Sequence, residues 1–357
     1  MSLLLVRLRL IGDVVFTTPL IRALRRRFPT ARLTYVVEQA AAPVVATNPH
    51  LSDVLVVPHR RGWRRLADDL RLARALRASR YDVAIDLHGG PRSGWLTWAS
   101  GAPVRVGYDV AGRSWMYTRV IHRPRELRPR HSVENQWDLL AAVDDAFEAP
   151  ADPDRDRVEM PVELAARDRV RARLRAFGAP AGAELVVLHV SAGNPFRRWP
   201  EPAFAALAAG LAADRDRRWL VITSGPSDHA AAHRVIADAR GRVPAAASRI
   251  VDADGLSLTD LRALMDEAAL FIGGDSGPLH IAATSDVPIV GLYGPTLAAR
   301  SGPWRPRALA AEAIDAGTLP CRPCEQRTCV PGDFRCLTSI PADAVREAAR
   351  RLLGAAS

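Results

Sequence analysis

The chain has 357 residues, of which 48% are hydrophobic and 25% charged, so it has an ordinary globular composition and is too long for one compact core. No apolar run reaches the roughly 18–20 residues that cross a bilayer, and the first apolar stretch lacks a signal-peptide cleavage site, so we expect a cytoplasmic protein. The net charge of +10 comes from arginine alone, since lysine is missing, and it suits nucleic acid, anionic lipid or phosphorylated small molecules equally well.

Short apolar runs alternate with amphipathic helical stretches through the first 150 residues. The predicted strands are Leu3–Leu10, Leu33–Val37, Val54–Val57 and Val83–Asp86. The predicted helices are Val14–Phe28, Trp63–Ala78 and His131–Phe147. This alternation is typical of a parallel sheet covered by helices on both faces.

The same alternation returns after a Pro- and Asp-rich linker segment at 148–161. The predicted strands are Leu185–Val190, Trp219–Thr223, Arg249–Val251, Leu270–Gly273 and Ile289–Tyr293. The predicted helices are Pro202–Ala212, Asp228–Ala239, Thr259–Asp266, Pro278–Ser285 and Ala342–Leu353. We therefore predict an α/β protein with two Rossmann-like, doubly wound parallel-sheet domains, 1–150 and 181–340, facing across a cleft. A linker and connecting helix would occupy 151–180, and a C-terminal helix within 341–357 would pack on the first domain.

Two loops after strands of the second half have the residue types of a diphosphate site. Small residues let the backbone approach an anion, guanidinium groups pair with phosphate, and the free amides of a helix start bind anions. Either loop alone also suits an ordinary strand–helix turn, but together they favour diphosphate. A GxGxxG motif is missing, which argues against a dinucleotide cofactor. The candidates are Ser191, Ala192, Gly193, Arg197, Arg198, Asp275, Ser276, Gly277, Pro278 and His280.

Two carboxylates follow strands and are open to two interpretations each. Asp13 could take a proton from an acceptor hydroxyl, or it could cap its helix. Asp228 could accept hydrogen bonds from a ribose, or either Asp228 or Ser227 could simply cap a helix. The residues alone leave both choices open.

Basic side chains are frequent in the loops of the first half. They form either a solvated face or a site for an acceptor that carries carboxylates or phosphates. The candidates are Arg60, Arg61, Arg64, His88, Arg92 and Arg113.

All four cysteines lie in one stretch, Cys321, Cys324, Cys329 and Cys336. In a cytoplasmic protein this spacing fits either a structural zinc site or reduced thiols, and a disulfide framework is not expected.

Four motifs in order along nearly the whole chain, at Leu5–Val14, Asp86–Gly90, Arg198–Pro200 and Gly274–Ala283, resemble those of glycosyltransferase family 9, the ADP-heptose:lipopolysaccharide heptosyltransferases. The resemblance implies a GT-B fold, with the acceptor on the N-terminal domain and the ADP-sugar on the C-terminal domain. It implies an enzyme that moves heptose from ADP-heptose to a Kdo or heptose hydroxyl of the lipopolysaccharide inner core. Transfer would invert the anomeric centre without a metal or cofactor, at the inner face of the inner membrane, where the enzyme would be peripheral.

The resemblance also implies residue roles. Asp13 matches the catalytic base, and Leu256 lies in the stretch that borders the adenine. Arg197 stands where the family commonly has a lysine on the donor phosphate, which leaves open whether Arg197 or Arg198 makes that contact. Asp228 stands where the family often has a ribose-binding glutamate. The matches to the donor-loop motif are Asp275, Ser276, Gly277 and His280.

Two alternatives remain. One is transfer of another nucleotide-linked sugar to a different glycolipid. The other, from a different class, is binding of nucleic acid; against it, the arginines are dispersed and no helix-turn-helix, RRM or zinc-finger pattern is present. The number of subunits is not predicted.

Overall fold

The computed structural model describes residues 1–58, 60, 62–122, 130–190, 194–324 and 326–355. They form two compact units, Met1–Pro161 and Val162–Ser357. Among the described residues, no helix is both long and apolar enough to span a bilayer.

The first unit is a six-stranded parallel sheet in the order β3-β2-β1-β4-β5-β6. Its strands are β1 (Ser2–Val6), β2 (Arg32–Glu38), β3 (Asp53–Val57), β4 (Val83–Asp86), β5 (Val104–Tyr108) and β6 (Arg119–Ile121). Its helices are α1 (Ile11–Val15), α2 (Thr18–Arg27), α3 (Gly62–Ala78), α4 (Pro91–Ala99) and α5 (Ser132–Ala141). The central strands are apolar and buried because helices cover both faces of a parallel sheet.

The second unit repeats this topology, with its sheet in the order β12-β11-β10-β7-β8-β9. Its strands are β7 (Glu184–His189), β8 (Arg218–Thr223), β9 (Ile250–Asp252), β10 (Leu270–Gly274), β11 (Ile289–Tyr293) and β12 (Ala311–Asp315). Its helices are α6 (Leu164–Ala176), α7 (Glu201–Asp214), α8 (His229–Arg242), α9 (Leu258–Glu267), α10 (Gly277–Ala282), α11 (Ala298–Ser301), α12 (Arg335–Thr338) and α13 (Ala342–Ala355).

The predicted first helix, Val14–Phe28, is two helices in the structure, α1 and α2. Pro19 explains the break, because proline has no amide hydrogen and its ring clashes with the carbonyl four residues earlier. The Thr18 hydroxyl donates to that carbonyl, on Val15, at 2.8 Å. Asp13 therefore lies on a short helix of its own.

The segment 151–161, predicted as linker, belongs to the first unit. Asp156 is fully buried there and accepts a hydrogen bond from Arg26 of α2 at 2.5 Å. The amide of Glu159 donates to the Thr18 hydroxyl at 2.9 Å. The two units therefore divide about ten residues later than predicted.

The C-terminal helix α13 packs on the second unit, which corrects the expectation that it packs on the first. Val345, Ala348, Ala349 and Leu353 belong to the same buried cluster as α7 and β10. Ion pairs to Asp214 of α7 reinforce this packing, from Arg346 at 2.5 Å and Arg350 at 2.6 Å.

Candidate active site

Each sheet reverses its strand order at one place, between β1 and β4 in the first unit and between β7 and β10 in the second. In doubly wound sheets, ligands bind beside the carboxyl ends of the strands at this switch point. The segments that follow these four strands carry Asp13, on α1, and His88, Arg197 and Asp275. These four predicted site residues therefore lie at the ligand-binding edge of their own sheet.

Asp13 is held by a buried arginine. Its Oδ2 forms an ion pair with Nη2 of Arg7, whose side chain is 10% exposed, whereas that of Asp13 is 29% exposed. Nη1 of the same guanidinium donates to the carbonyl of Leu87 at 2.5 Å, so Arg7 joins the loops after β1 and β4. Leu10, just before α1, has a left-handed backbone (φ 65°), a costly conformation that is typical of functional turns.

His88 is a neutral imidazole near this ion pair. Burial, together with the positive charges of Arg7 and Arg9, lowers the pKa of His88 to about 4, although the Asp13 carboxylate acts in the opposite direction. At neutral pH the His88 ring is therefore uncharged and can act as a hydrogen-bonding group.

The loop that carries His88 is anchored on a buried carboxylate, Asp86. Oδ1 of Asp86 accepts the amides of His88 at 2.8 Å and Gly89 at 2.9 Å. Its Oδ2 accepts the hydroxyls of Ser93 at 3.0 Å and Tyr117 at 2.6 Å. Burial raises the pKa of Asp86, and the four donors oppose that rise. These hydrogen bonds fix the backbone of the loop at His88 and Gly89.

The predicted acceptor-binding arginines differ in how far their charge is already neutralised. Arg92 is paired at 2.6 Å with Asp69 and at 2.8 Å with Glu38, and its side chain is only 12% exposed. Arg113 donates to the carbonyl of Gly89 at 3.3 Å. The exposed ones are Arg60, which pairs with Asp68 at 3.3 Å, and Arg64, which lies over the Trp63 ring. Arg61 lies outside the described residues.

In the second unit, Arg197 and Arg198 point to different partners. Nη1 of Arg197 donates to the carbonyl of Asp275 at 3.1 Å, beside the start of α10. Arg198 instead pairs with Asp228 at 2.7 Å. The other carboxylate oxygen of Asp228 accepts the Ser227 hydroxyl at 3.1 Å, so this carboxylate holds Arg198 and does not cap α8. Arg197 is thus the arginine next to the predicted phosphate loop.

Asp275 organises that loop. Burial acts to raise its pKa, but His280, with Nε2 at 3.5 Å, together with Arg197 and Thr296, keeps the pKa below its usual value. The Thr296 hydroxyl donates to Oδ2 of Asp275. Ser276 takes the N-cap position of α10, although its hydroxyl donates to the Gly274 carbonyl and caps no amide.

Six candidate residues of the donor site remain, and the structure describes three of them. Gly277 and Pro278 form the first turn of α10. Leu256 lines a small apolar pocket of about 10 Å³ between α6, α9 and β8, together with Phe177, Val221 and Leu264. Ser191, Ala192 and Gly193 lie outside the described residues.

Comparison with known proteins gives the family. A family model described as glycosyltransferase family 9 (heptosyltransferase) matches residues 69–333. The chain belongs to glycosyltransferase family 9. It is 28% identical over 352 residues to lipopolysaccharide heptosyltransferase 3 of Escherichia coli, with 97% of each chain covered.

Solved structures match this family 9 chain along its whole length. A glycosyl transferase family 9 protein from Veillonella parvula DSM 2008 has a TM-score of 0.84 at 23% identity, covering 99% of this chain and 97% of that one. The E. coli ADP-heptose lps heptosyltransferase II has a TM-score of 0.78 at 20% identity, covering 100% of this chain and 99% of that one. The predicted GT-B fold and glycosyltransferase class are confirmed.

The cysteines of this family 9 enzyme line one cavity of about 120 Å³, together with Phe196 and Phe334. Burial and the neighbouring thiols raise the pKa of Cys336. Within the described part of the chain, no group of three or more His, Cys, Asp or Glu side chains is arranged to hold a metal ion. The alternatives of a zinc site and reduced thiols therefore stay predictions.

Arg7, Tyr117 and Thr296 are not among the residues predicted from sequence, although each contacts a site carboxylate. Arg7 could have been predicted from the sequence, because a charged residue directly after a buried strand needs an oppositely charged or hydrogen-bonding partner. The sequence does not indicate Tyr117 or Thr296, because only the fold brings them into contact with Asp86 and Asp275.

Proposed function

We propose that this enzyme transfers a heptose from ADP-heptose to a hydroxyl of the lipopolysaccharide inner core, inverting the anomeric centre, with Asp13 as the general base. The observation that carries the proposal is the ion pair of Asp13 with Arg7, at the switch point of a sheet whose topology is repeated in the second unit. ADP-heptose is the donor named for the E. coli heptosyltransferase II, to which this chain is similar.

The donor would bind the second unit. Its diphosphate would pair with Arg197, while the adenine would lie by Leu256. When the bond between the anomeric carbon and the diphosphate oxygen breaks, ADP leaves with the electron pair. A guanidinium already in place would stabilise that charge without reorganisation, which is the most effective form of electrostatic catalysis. No metal or cofactor is part of this proposal.

The acceptor would bind the first unit, where its hydroxyl oxygen attacks the anomeric carbon and its proton passes to Asp13. Since Oδ2 of Asp13 faces Arg7, Oδ1 is the oxygen that would take the proton. The neutral ring of His88 would hydrogen-bond the acceptor, and the exposed guanidinium groups of Arg60 and Arg64 would pair with its carboxylates or phosphates. Arg92 would support the fold of this site, because two carboxylates already neutralise it.

A peripheral position at the inner face of the inner membrane is supported by the surface of α3. Trp63, Leu66 and Leu70 are 74%, 65% and 48% exposed, and their spacing puts them on one stripe of the helix. The same helix carries five arginines and two aspartates. Apolar side chains on a basic helix are typical of binding to an anionic lipid surface.

Transfer is tested by mixing the enzyme with ADP-heptose and heptose-deficient lipopolysaccharide and following ADP release and the anomeric configuration of the product. We expect an inverted linkage and tighter binding of ADP than of UDP or GDP. Retention of configuration would contradict the base assignment. Failure to bind any nucleotide, with salt-dependent binding to random DNA, would favour the nucleic-acid alternative.

Membrane binding is tested separately with phosphatidylglycerol/phosphatidylethanolamine vesicles. We expect Trp63→Ser combined with Leu66→Ser to weaken vesicle binding about tenfold or more, since each side chain buries apolar area worth about 1.5–3 kcal/mol. Leu164→Ser is the matched control, because Leu164 is also 74% exposed but lies on α6. Equal effects of the two changes would refute the assignment of α3.

A further inference from the structure

The loop that carries three of the four cysteines contacts the segment that follows β11. We call residues 321–334, between β12 and α12, the cysteine loop. The amide of Cys324 donates to the carbonyl of Pro295 at 3.2 Å, and Arg322 donates to that of Thr296 at 3.0 Å. The cysteine loop is therefore fixed to the residues that follow β11. One of them is Thr296, whose hydroxyl donates to Asp275.

One side chain of this loop reaches Arg197. Oε1 of Gln326 accepts a hydrogen bond from Nε of Arg197 at 3.0 Å and another from Nδ2 of Asn194 at 3.2 Å. Gln326 has a left-handed backbone (φ 58°), which costs a non-glycine residue about 1 kcal/mol or more. Glycine would adopt this turn without strain, but it would lack the amide oxygen that reaches both donors.

The chemistry of this contact suits a residue that orients a cation for another partner. The amide oxygen of Gln326 is uncharged, so it fixes the guanidinium without neutralising it, whereas a carboxylate would compete with phosphate. With Nε on Gln326 and Nη1 on Asp275, Arg197 keeps Nη2, which donates to no residue in the described part of the chain. The Asp275 carboxylate, 3.6 Å from Nη1, offsets part of the charge of Arg197, and Nη2 is the nitrogen left to pair with an anionic ligand.

We propose that Gln326 is a positioning residue for the donor diphosphate and acts through Arg197. Without it, the guanidinium could turn fully onto the Asp275 carboxylate, whose Oδ2 is already 3.6 Å away, and its charge would be lost to the donor. This inference rests on the proposed function, since it requires that Arg197 binds the diphosphate.

The test is a double-mutant cycle on ADP binding, measured by calorimetry with the full chain. Gln326→Met keeps the length and shape of the side chain but removes the acceptor, and we expect the Kd for ADP to rise about tenfold. Arg197→Ala weakens ADP by more, and adding Gln326→Met to it should change nothing further, because the effect passes through Arg197. Thr328→Val, in the same loop, is the control and should leave the Kd unchanged.

A structural role alone predicts a different pattern. If Gln326→Met lowers the affinity equally with and without Arg197, or leaves it unchanged, the inference is overturned while ADP binding by the wild type still supports the proposed function. If Gln326→Met does not fold, Gln326→Asn replaces it, since asparagine tolerates the left-handed backbone but is one methylene too short to hold both donors. If the wild type does not bind ADP, both proposals fall.

Discussion

Replacing Asp13 by asparagine removes one negative charge and keeps the shape of the side chain, so it separates proton transfer from packing. The amide oxygen can still accept a hydrogen bond from Arg7, but it cannot take a proton from a hydroxyl. We therefore expect kcat to fall by at least about 100-fold, the lower end of what a general base contributes. The Kd for ADP should not change, because Arg197 and Asp275 belong to the second unit.

The same change also has a cost in stability that follows from burial. Arg7 is 10% exposed and loses its only anionic partner among the described residues, whereas Asp13 is 29% exposed and water partly screens the pair. Breaking a fully buried pair costs about 3–5 kcal/mol, so with this exposure we expect a loss of about 1–2 kcal/mol in the free energy of unfolding. That loss leaves the enzyme folded at 25 °C if its stability is typical of globular proteins.

The assay is single-turnover transfer at saturating ADP-heptose, with urea unfolding and ADP calorimetry on the same preparations. Asp82→Asn is the control, because Asp82 lies before β4 at the opposite edge of the same sheet and its side chain is 60% exposed. Transfer within a few-fold of the wild type by the Asp13→Asn enzyme would refute the base assignment. A loss of transfer matched by an equal loss in the Asp82→Asn enzyme would mean that charge, not position, matters.

Three other outcomes are expected. Burial lowers the pKa of His189 to about 4 from 6.5, so between these pH values the unfolded chain binds a proton that the folded chain does not. The free energy of unfolding should therefore be highest above about pH 6.5 and fall by about 2 kcal/mol between pH 7 and pH 5, as measured by urea unfolding. His189→Gln should reduce this dependence on pH. Arg92→Ala should cost about 3 kcal/mol of unfolding free energy by leaving Asp69 and Glu38 unpaired, whereas Arg64→Ala should cost under about 0.5 kcal/mol; equal costs would contradict the distinction. EDTA should leave the transfer rate unchanged, and a requirement for added Mg²⁺ would count against neutralisation of the diphosphate by Arg197.

The strands that carry the site are well predicted from sequence because they are apolar on both faces. β4 and β11 begin and end at the predicted residues, and β1, β7 and β10 differ only at their ends. The strands β5, β6 and β12 are missed because none of them has a run of apolar residues. In β5, Arg105 and Gly107 interrupt the apolar residues, and β6 has only three residues. β12 is an edge strand with alternating exposure and the sequence Ala-Glu-Ala-Ile-Asp.

Asp13, His88, Arg197 and Asp275 follow strands at the switch points of their sheets, but the partners of these side chains cannot be predicted from the sequence. Asp13 and Asp275 follow from strand ends and motif resemblance, which are local signals. The distinction between Arg197 and Arg198 depends on Asp228, which is 30 residues from Arg198 and is brought to it by the fold. The same holds for α13, whose amphipathic pattern requires a partner surface but does not say which unit provides it.

The net charge of the sequence therefore does not give the charge available to a ligand at the site. This chain has a net charge of +10, yet Arg92 and Arg198 are each neutralised by a buried carboxylate. Arg7 and Arg197 are held differently. Arg7 forms an ion pair with the carboxylate of Asp13 and orients it, whereas Arg197 is fixed mainly by the neutral oxygens of Gln326 and the Asp275 carbonyl. The proposed base is thus held by a cation, and the proposed phosphate-binding cation is held mainly by uncharged groups, although the two units have the same strand order.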